Sequence, residues 1–293
     1  MAGSGQIRQL KRRIRSVQST QKITRAMEMI AAARIIKAQA RVRNARPYAE
    51  QIHEVIKGLA VSNEVRQHPL LTQREVERVA IVVNTSDRGL AGAYNANVLK
   101  VAERTMRTER EAGRSIDLYI VGKKGAGYFA YRGQRAERVW TGISDTPTVD
   151  NANAIAEILM DRFAKGELDR VWLVYTDFKS SLTQAPVRME LLPVKPVEFE
   201  GGEEMNPDFI YEPSQPFMLE RLIPRYVEAK VFHGLLESSA SEHAARQRAM
   251  KSATDNAKEV AGSLSRVMNQ ARQEQITTEI SEIVGGAEAL QSG

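Results

Sequence analysis

The 293-residue chain contains no cysteine. Disulfide frameworks, thiolate nucleophiles, cysteine-ligated zinc and iron–sulfur clusters are therefore excluded together. No apolar run approaches the roughly 18 residues that a membrane-spanning helix needs, and the start has no apolar segment of the secretory-signal type. Acidic residues are scarce at one end: residues 1–50 hold twelve Lys/Arg but only Glu28 and Glu50. An Arg-rich, acid-poor start is also the composition of a mitochondrial transit peptide, but the helical pattern runs on unbroken past any plausible cleavage point.

Helix stops are missing from both ends. All ten prolines lie between Pro47 and Pro224, and all seventeen aromatic residues between Tyr48 and Phe232. Gln6 to Arg46 has neither Gly nor Pro, and Arg225 to Val284 has only Gly234 and Gly262. Two long helices are expected, roughly 60 and 90 Å at 1.5 Å per residue, too long for a globule of this size with a radius of gyration of about 19 Å. Each needs a partner along its apolar stripe, and the simplest partner is the other helix. On the first helix the stripe runs Ile7, Leu10, Ile14, Val17, then after a phase shift Ile23, Met27, Ile30. On the second it runs Ala253, Ala257, Val260, Leu264, Val267, Ala271, then Ile276, Ile280, Ile283, Ala287, Leu290. These are coiled-coil spacings with stutters. Alanine dominates the expected seam, with Ala26 and Ala31–Ala33 on one side and Ala240, Ala244, Ala249, Ala253 and Ala257 on the other. Residues 207–293 carry nine Lys/Arg against twelve Asp/Glu, an acidic complement to the basic start.

The middle of the chain has short β-branched runs at 79–83, 116–121 and 171–175, alternating with helical stretches near 94–110 and 151–165. That is the pattern of a mostly parallel sheet, with one further strand expected at 187–192. The expected fold is thus α+α/β: a long antiparallel coiled coil of the two terminal helices with an inserted Rossmann-like α/β domain. Its expected parts are 1–60 for the first helix, 75–195 for the α/β domain, 196–216 for a linker and 217–290 for the second helix.

Signals for chemistry are weak. SDRGLAGAYN (86–95) spaces its glycines G-x-x-G and lacks the dinucleotide fingerprint, and GKKGAG (122–127) is no Walker A loop; both read as turns between strand and helix. His53, His68, His233 and His243 form no ligand array. No nucleophile elbow and no placed acid pair appear. No catalytic residue, cofactor site or metal site is expected. The basic first helix suits phosphate contacts but has no aromatic residue for stacking, so an acidic protein partner fits better than nucleic acid. A dinucleotide-dependent enzyme and a basic nucleic-acid binder remain as rival classes.

Four stretches in order resemble the gamma-subunit family of the F-type ATP synthase: QSTQKITRAMEMIAAAR (18–34), SDRGLAGAYN (86–95), SEHAARQRAMKSATDNA (241–257) and ARQEQITTEISEIVGGAEAL (271–290). The resemblance implies a central rotor stalk, without an active site of its own, that couples rotation of a c-ring to conformational change on the beta subunits. It implies as partners the ring of alpha and beta subunits, the epsilon subunit and the c-ring. Nucleic acid is not among them, and the membrane is reached only through partner subunits, on the cytoplasmic side of a bacterial plasma membrane. By motif match, Arg272 and Gln273, with Thr277 nearby, fall on positions that hydrogen-bond a beta loop. Met27, Arg34 and Lys37 fall near beta's acidic lever, and Tyr211 and Glu212 in a segment near the c-ring. Ile276, Ile280, Ile283 and Val284 fall near the inner tip. Ala91 stands where many members have Cys, and no cysteine-bearing regulatory insert is present.

Overall fold

The computed structural model describes residues 2–59, 68–195 and 214–291. They form, in order, α1 (Ala2–Leu59), a 3-10 turn (Pro69–Leu71), β1 (Arg78–Asn84), α2 (Tyr94–Glu111), β2 (Ser115–Val121), α3 (Lys123–Tyr131), β3 (Arg138–Trp140), α4 (Val149–Ala164), β4 (Arg170–Phe178), β5 (Gln184–Leu192) and α5 (Gln215–Gln291). Contacts divide them into two compact units. The first is Met1–Ile30 with Gln247–Gly293, and the second is Ala31–Arg246. Helices α1 and α5 each contribute to both.

In the second unit the sheet order is β3-β2-β1-β4-β5, parallel except for the β4/β5 pair. Period-two alternation assigns the faces. Val79, Ile81, Val83, Leu118, Ile120 and Val174 pack with Val98, Ala102, Met106 of α2 and Phe129 of α3. Ala80, Val82, Tyr119, Val121, Val171 and Leu173 pack with Ile155, Leu159 and Phe163 of α4, Ile52 and Ile56 of α1, and Ile223, Val227, Val231 and Leu235 of α5. Both faces are covered, which is why β1 and β4 read as unbroken apolar runs rather than alternating ones. The helix α4 starts on a capping box in which Thr148 and Asn151 exchange bonds.

In the first unit α1 and α5 pair antiparallel as a coiled coil, and Thr254 Oγ1 donates to Thr24 Oγ1 across the seam at 2.8 Å. Two expectations need correction here. On α1 the buried stripe keeps its first phase, from Ile7, Leu10, Ile14 and Val17 on to Gln21 and Thr24, so Ile23 and Ile30 face solvent and Met27 is half-buried. On α5 the stripe runs Met250, Thr254, Ala257, Ala261, Leu264, Met268, Ala271, leaving Val260 and Val267 half-exposed. A helix pair holds one supercoil phase, and abandoning it requires local over- or underwinding. Polar Thr24 is tolerated because Thr254 satisfies it. The alanine seam is likewise partial: Ala31, Ala240, Ala244 and Ala257 are buried, whereas Ala26 and Ala33 are exposed.

The expected strands and the helices near 94–110 and 151–165 are present. GKKGAG is not a turn, because α3 begins at Lys123 directly after Gly122. Gly122 has φ +93°, and a Cβ there would lie 2.2 Å from the Thr85 carbonyl oxygen. Gly122→Ala is therefore expected to destabilise the full-length chain by at least about 3 kcal/mol, since both the dihedral and a backbone clash oppose it. Urea unfolding of the two proteins measures the loss.

Candidate functional site

In an open α/β sheet the place to look for a ligand is the crevice beyond the strand ends where the order reverses, here between β1 and β4. That crevice is filled by α5. Asn84 Nδ2 donates to the Gly234 carbonyl at 3.2 Å, and the Thr176 amide to Ser238 Oγ at 3.2 Å. The Phe178 amide donates to Glu237 Oε2 at 2.8 Å, and Ser241 Oγ to the Thr176 carbonyl at 3.2 Å. Gly234 permits the approach, because a Cβ there would stand 2.8 Å from Leu173. The Tyr94 hydroxyl joins Ser238 and Thr176, and its pKa is raised by burial and by Glu242.

The amides placed to cradle a phosphate are also taken. Asp87, in the β1–α2 loop, accepts from the Gly142 amide at 2.8 Å, the Ser144 amide at 3.2 Å and the Lys123 amide at 3.2 Å. Partial burial works against its charge, but these amides and Ser144 hold its pKa below the usual carboxylate range. A side-chain anion occupies the position a bound anion would take. Among the described residues no group of three or more His, Asp or Glu is arranged to hold a metal ion.

Beside this loop lies a buried polar cluster. Glu242 and Arg246 are 1% and 7% exposed, and Arg246 Nη2 donates to Glu242 Oε1 at 2.7 Å. Arg246 also donates to the Gly89 carbonyl at 3.3 Å. Its Nη1 lies 3.4 Å from His243 Nδ1. A guanidinium only donates, so Nδ1 is the acceptor and Nε2 carries the proton. That Nε2 lies 3.4 Å from both the carbonyl and Oδ1 of Asp145. Asp145 pairs with Arg34 of α1, and its carbonyl accepts from Ser239 Oγ at 3.0 Å. Burial lowers the His243 pKa; Asp145 opposes this, while Arg246 and Arg34 reinforce it. Burial raises that of Glu242, against Arg246.

The residues singled out from sequence scatter. Lys37, Arg272, Gln273 and Thr277 are exposed, Met27 and Arg34 half-buried. Gln273 and Thr277 share a helix face at i, i+4, with Arg272 and Ile276 on the adjoining one. Tyr211 and Glu212 lie outside the described residues. Pairing antiparallel about Thr24 and Thr254 brings the start of α1 opposite roughly residue 276. Residues from there to 287 are exposed at every position, including Ile276 (46%), Ile280 (56%), Ile283 (71%) and Val284 (52%).

The ATP synthase family model matches residues 6–290. The ATP synthase gamma chain of Frankia casuarinae is 48% identical over 299 residues, 99% of each chain. This chain belongs to the ATP synthase gamma family. The gamma chain of Saccharopolyspora erythraea is 47% identical over 306 residues, 98% of each chain. Among solved structures, a chain of the central stalk and c-ring of the Tetrahymena thermophila mitochondrial ATP synthase is 26% identical with a TM-score of 0.61, covering 79% of this chain and 99% of that one. A chain of the Euglena gracilis mitochondrial ATP synthase shares the fold, with a TM-score of 0.68 at 18% identity and coverage of 99% and 96%.

In this gamma-family chain, sequence reading missed Asp87, Asp145, Glu242, His243 and Arg246. The available signal was the i, i+4 Glu242/Arg246 pair set among small residues in ESSASEHAAR, where charges on an otherwise apolar helix face mark a buried pair. His243 yields a pH prediction. Its folded pKa lies below the ordinary 6.5, so as pH falls below that value the unfolded chain takes up a proton that the folded chain refuses, and stability is lost. Glu242, whose pKa is raised, acts in the opposite sense, so the His243 contribution has to be isolated by difference. The melting-temperature advantage of the wild type over His243→Gln should shrink steadily as pH drops from about 7.5 to about 5.

Proposed function

We propose that this chain is the central rotor shaft of an F-type ATP synthase, turning inside a ring of alpha and beta subunits and coupling rotation of a c-ring to ATP synthesis or hydrolysis on beta. The observation that carries the reading is the end of α5, exposed at every position from residue 276 to 287 and bearing Ile276, Ile280, Ile283 and Val284 on its surface. Such a segment of about fifteen residues is marginal alone in water and is completed by a surrounding apolar sleeve. The central-stalk description of the Tetrahymena relative supports it.

The chain has no active site of its own in this reading. Its part is to present unlike faces to equivalent neighbours, so that each catalytic site is biased in turn between tight and open states by its differential contacts with the shaft. Gln273 and Thr277, with Arg272 beside them, form a polar patch next to the apolar tip, suited to gripping a beta loop; a guanidinium takes a carboxylate bidentately. Met27 and Lys37 face an acidic lever of beta, and Arg34 meets it with the flank of a guanidinium already bonded to Asp145. Tyr211 and Glu212 belong to the contact with the c-ring, beside epsilon. No described helix is long and apolar enough to cross a membrane. The chain is held peripherally at the cytoplasmic face of a bacterial membrane by its partners.

Because the chain has no cysteine, a single introduced thiol is specific. With Gln273→Cys or Met27→Cys and a second Cys on the facing beta loop, oxidation is expected to stop ATP turnover and reduction to restore it; full cross-linking with undiminished turnover would overturn the rotor reading. The isolated chain should hydrolyse no ATP and should co-purify with the ring subunits. Ala253→Pro, which costs about 3 kcal/mol or more inside a helix, should abolish that co-purification.

A further inference from the structure

The cluster around Asp145 is buried at Glu242, His243 and Arg246, where burial of charge is unfavourable, and half-buried at Asp145 and Arg34. Glu242 Oε2 makes no well-formed hydrogen bond, although the Ser144 hydroxyl favours the charge of that carboxylate, and Asp145 Oδ1 has the His243 contact at 3.4 Å. Ion pairs of this kind often stabilise a fold less than apolar residues of the same volume, but they hold groups in one orientation. Apolar packing is non-directional and lets one element slide over another. The second unit uses both. Ile52 and Ile56 of α1 and Ile223, Val227 and Leu235 of α5 pack against the sheet by apolar contact, and α5 is also hydrogen-bonded to the strand ends at Asn84, Thr176 and Phe178, whereas the Asp145 cluster bonds α1, α5 and two loops of the α/β layer together by directional contacts.

Those contacts form an unbroken series. Arg34 of α1 pairs with Asp145, which lies between β3 and α4. Asp145 meets His243 and Ser239 of α5. His243 meets Arg246, and Arg246 reaches Glu242 and the Gly89 carbonyl in the β1–α2 loop. That loop is tied back to the β3–α4 loop by Asp87 on the amides of Gly142 and Ser144. The circuit closes, with two anions at Asp145 and Glu242 set against two cations at Arg34 and Arg246.

We propose that Asp145, with Arg34, His243, Glu242 and Arg246, is the joint that locks the α/β layer to both long helices against twisting, so that load on one is passed to the other without slip. These are positioning residues: they touch no nucleotide and act through the helices they hold. The proposal rests on the rotor reading, under which a joint that slips lets ATP be hydrolysed without the matching movement of ions.

The test uses the assembled complex in inverted membrane vesicles, reading ATP hydrolysis and ATP-driven proton uptake in the same preparation. Asp145→Asn keeps the shape and the backbone carbonyl but removes the hub's charge. Pumping per ATP hydrolysed is expected to fall at least about threefold while hydrolysis is retained, and Asp145→Glu should restore the ratio. The second variant combines Glu242→Gln with Arg246→Gln, removing both buried charges so that neither is stranded, and should lower the ratio likewise. An unchanged ratio in either assembled variant overturns the joint. Failure of both to assemble also overturns it, since the cluster would then be a requirement of folding. Wild-type chain that does not co-purify with the ring subunits marks failure of the rotor reading, and the joint falls with it.

Discussion

The long helix α5 must bury a face along its length, and its two parts meet that demand differently. From Ile223 to Arg246 it lies in the second unit, where the ends of β1 and β4 receive it: Asn84, Thr176 and Phe178 are hydrogen-bonded to it, and Val227, Val231 and Leu235 sink into the sheet-side core. From Gln247 onward it belongs to the first unit, together with the start of α1, with small residues such as Ala257 and Ala261 buried. Most helical stability in proteins comes from packing rather than propensity. The stretch of α5 from residue 276 to 287, exposed at every position among the described residues, is therefore where the need for another protein is greatest.

The same helix explains why an α/β layer with the topology of a nucleotide-binding domain is a poor site for a nucleotide. Its crevice is occupied by the chain itself, and the amides at its mouth are held by Asp87. What the layer provides instead is a rigid body, covered on both faces, with polar anchors aimed at α1 and α5. Fold and function are separate questions here: the architecture is one that enzymes also use, while the polar groups at this crevice hold α5 and the neighbouring loops.

Much of the architecture was legible because its signals are local and repeated. The absence of Pro and Gly at the ends, the 3-and-4 spacing of Ile7, Leu10 and Ile14, and the apolar runs of β1, β2 and β4 each specify an element without reference to anything distant. Short or conformationally special pieces escaped: β3 is three residues long, and α3 starts on a glycine-rich segment whose helical state depends on Gly122 fitting against Thr85. Gln273 and Thr277 stand exposed on one helix face. Arg34 reads as one more surface cation until Asp145, 111 residues away, is seen beside it.

Sequence alone determined the type and order of the longer elements, the charge asymmetry of the termini and the family, since these follow from periodicity and motif. Tertiary structure decided which face of each helix is spent. A helix with apolar residues at Ile23 and Ile30 as well as at Leu10 and Ile14 has two possible stripes, and only the fit of a partner helix, here secured at Thr24 and Thr254, selects between them. It also decided which charges are buried, because the free energy of an ion depends on every group packed around it, including ones far away along the chain.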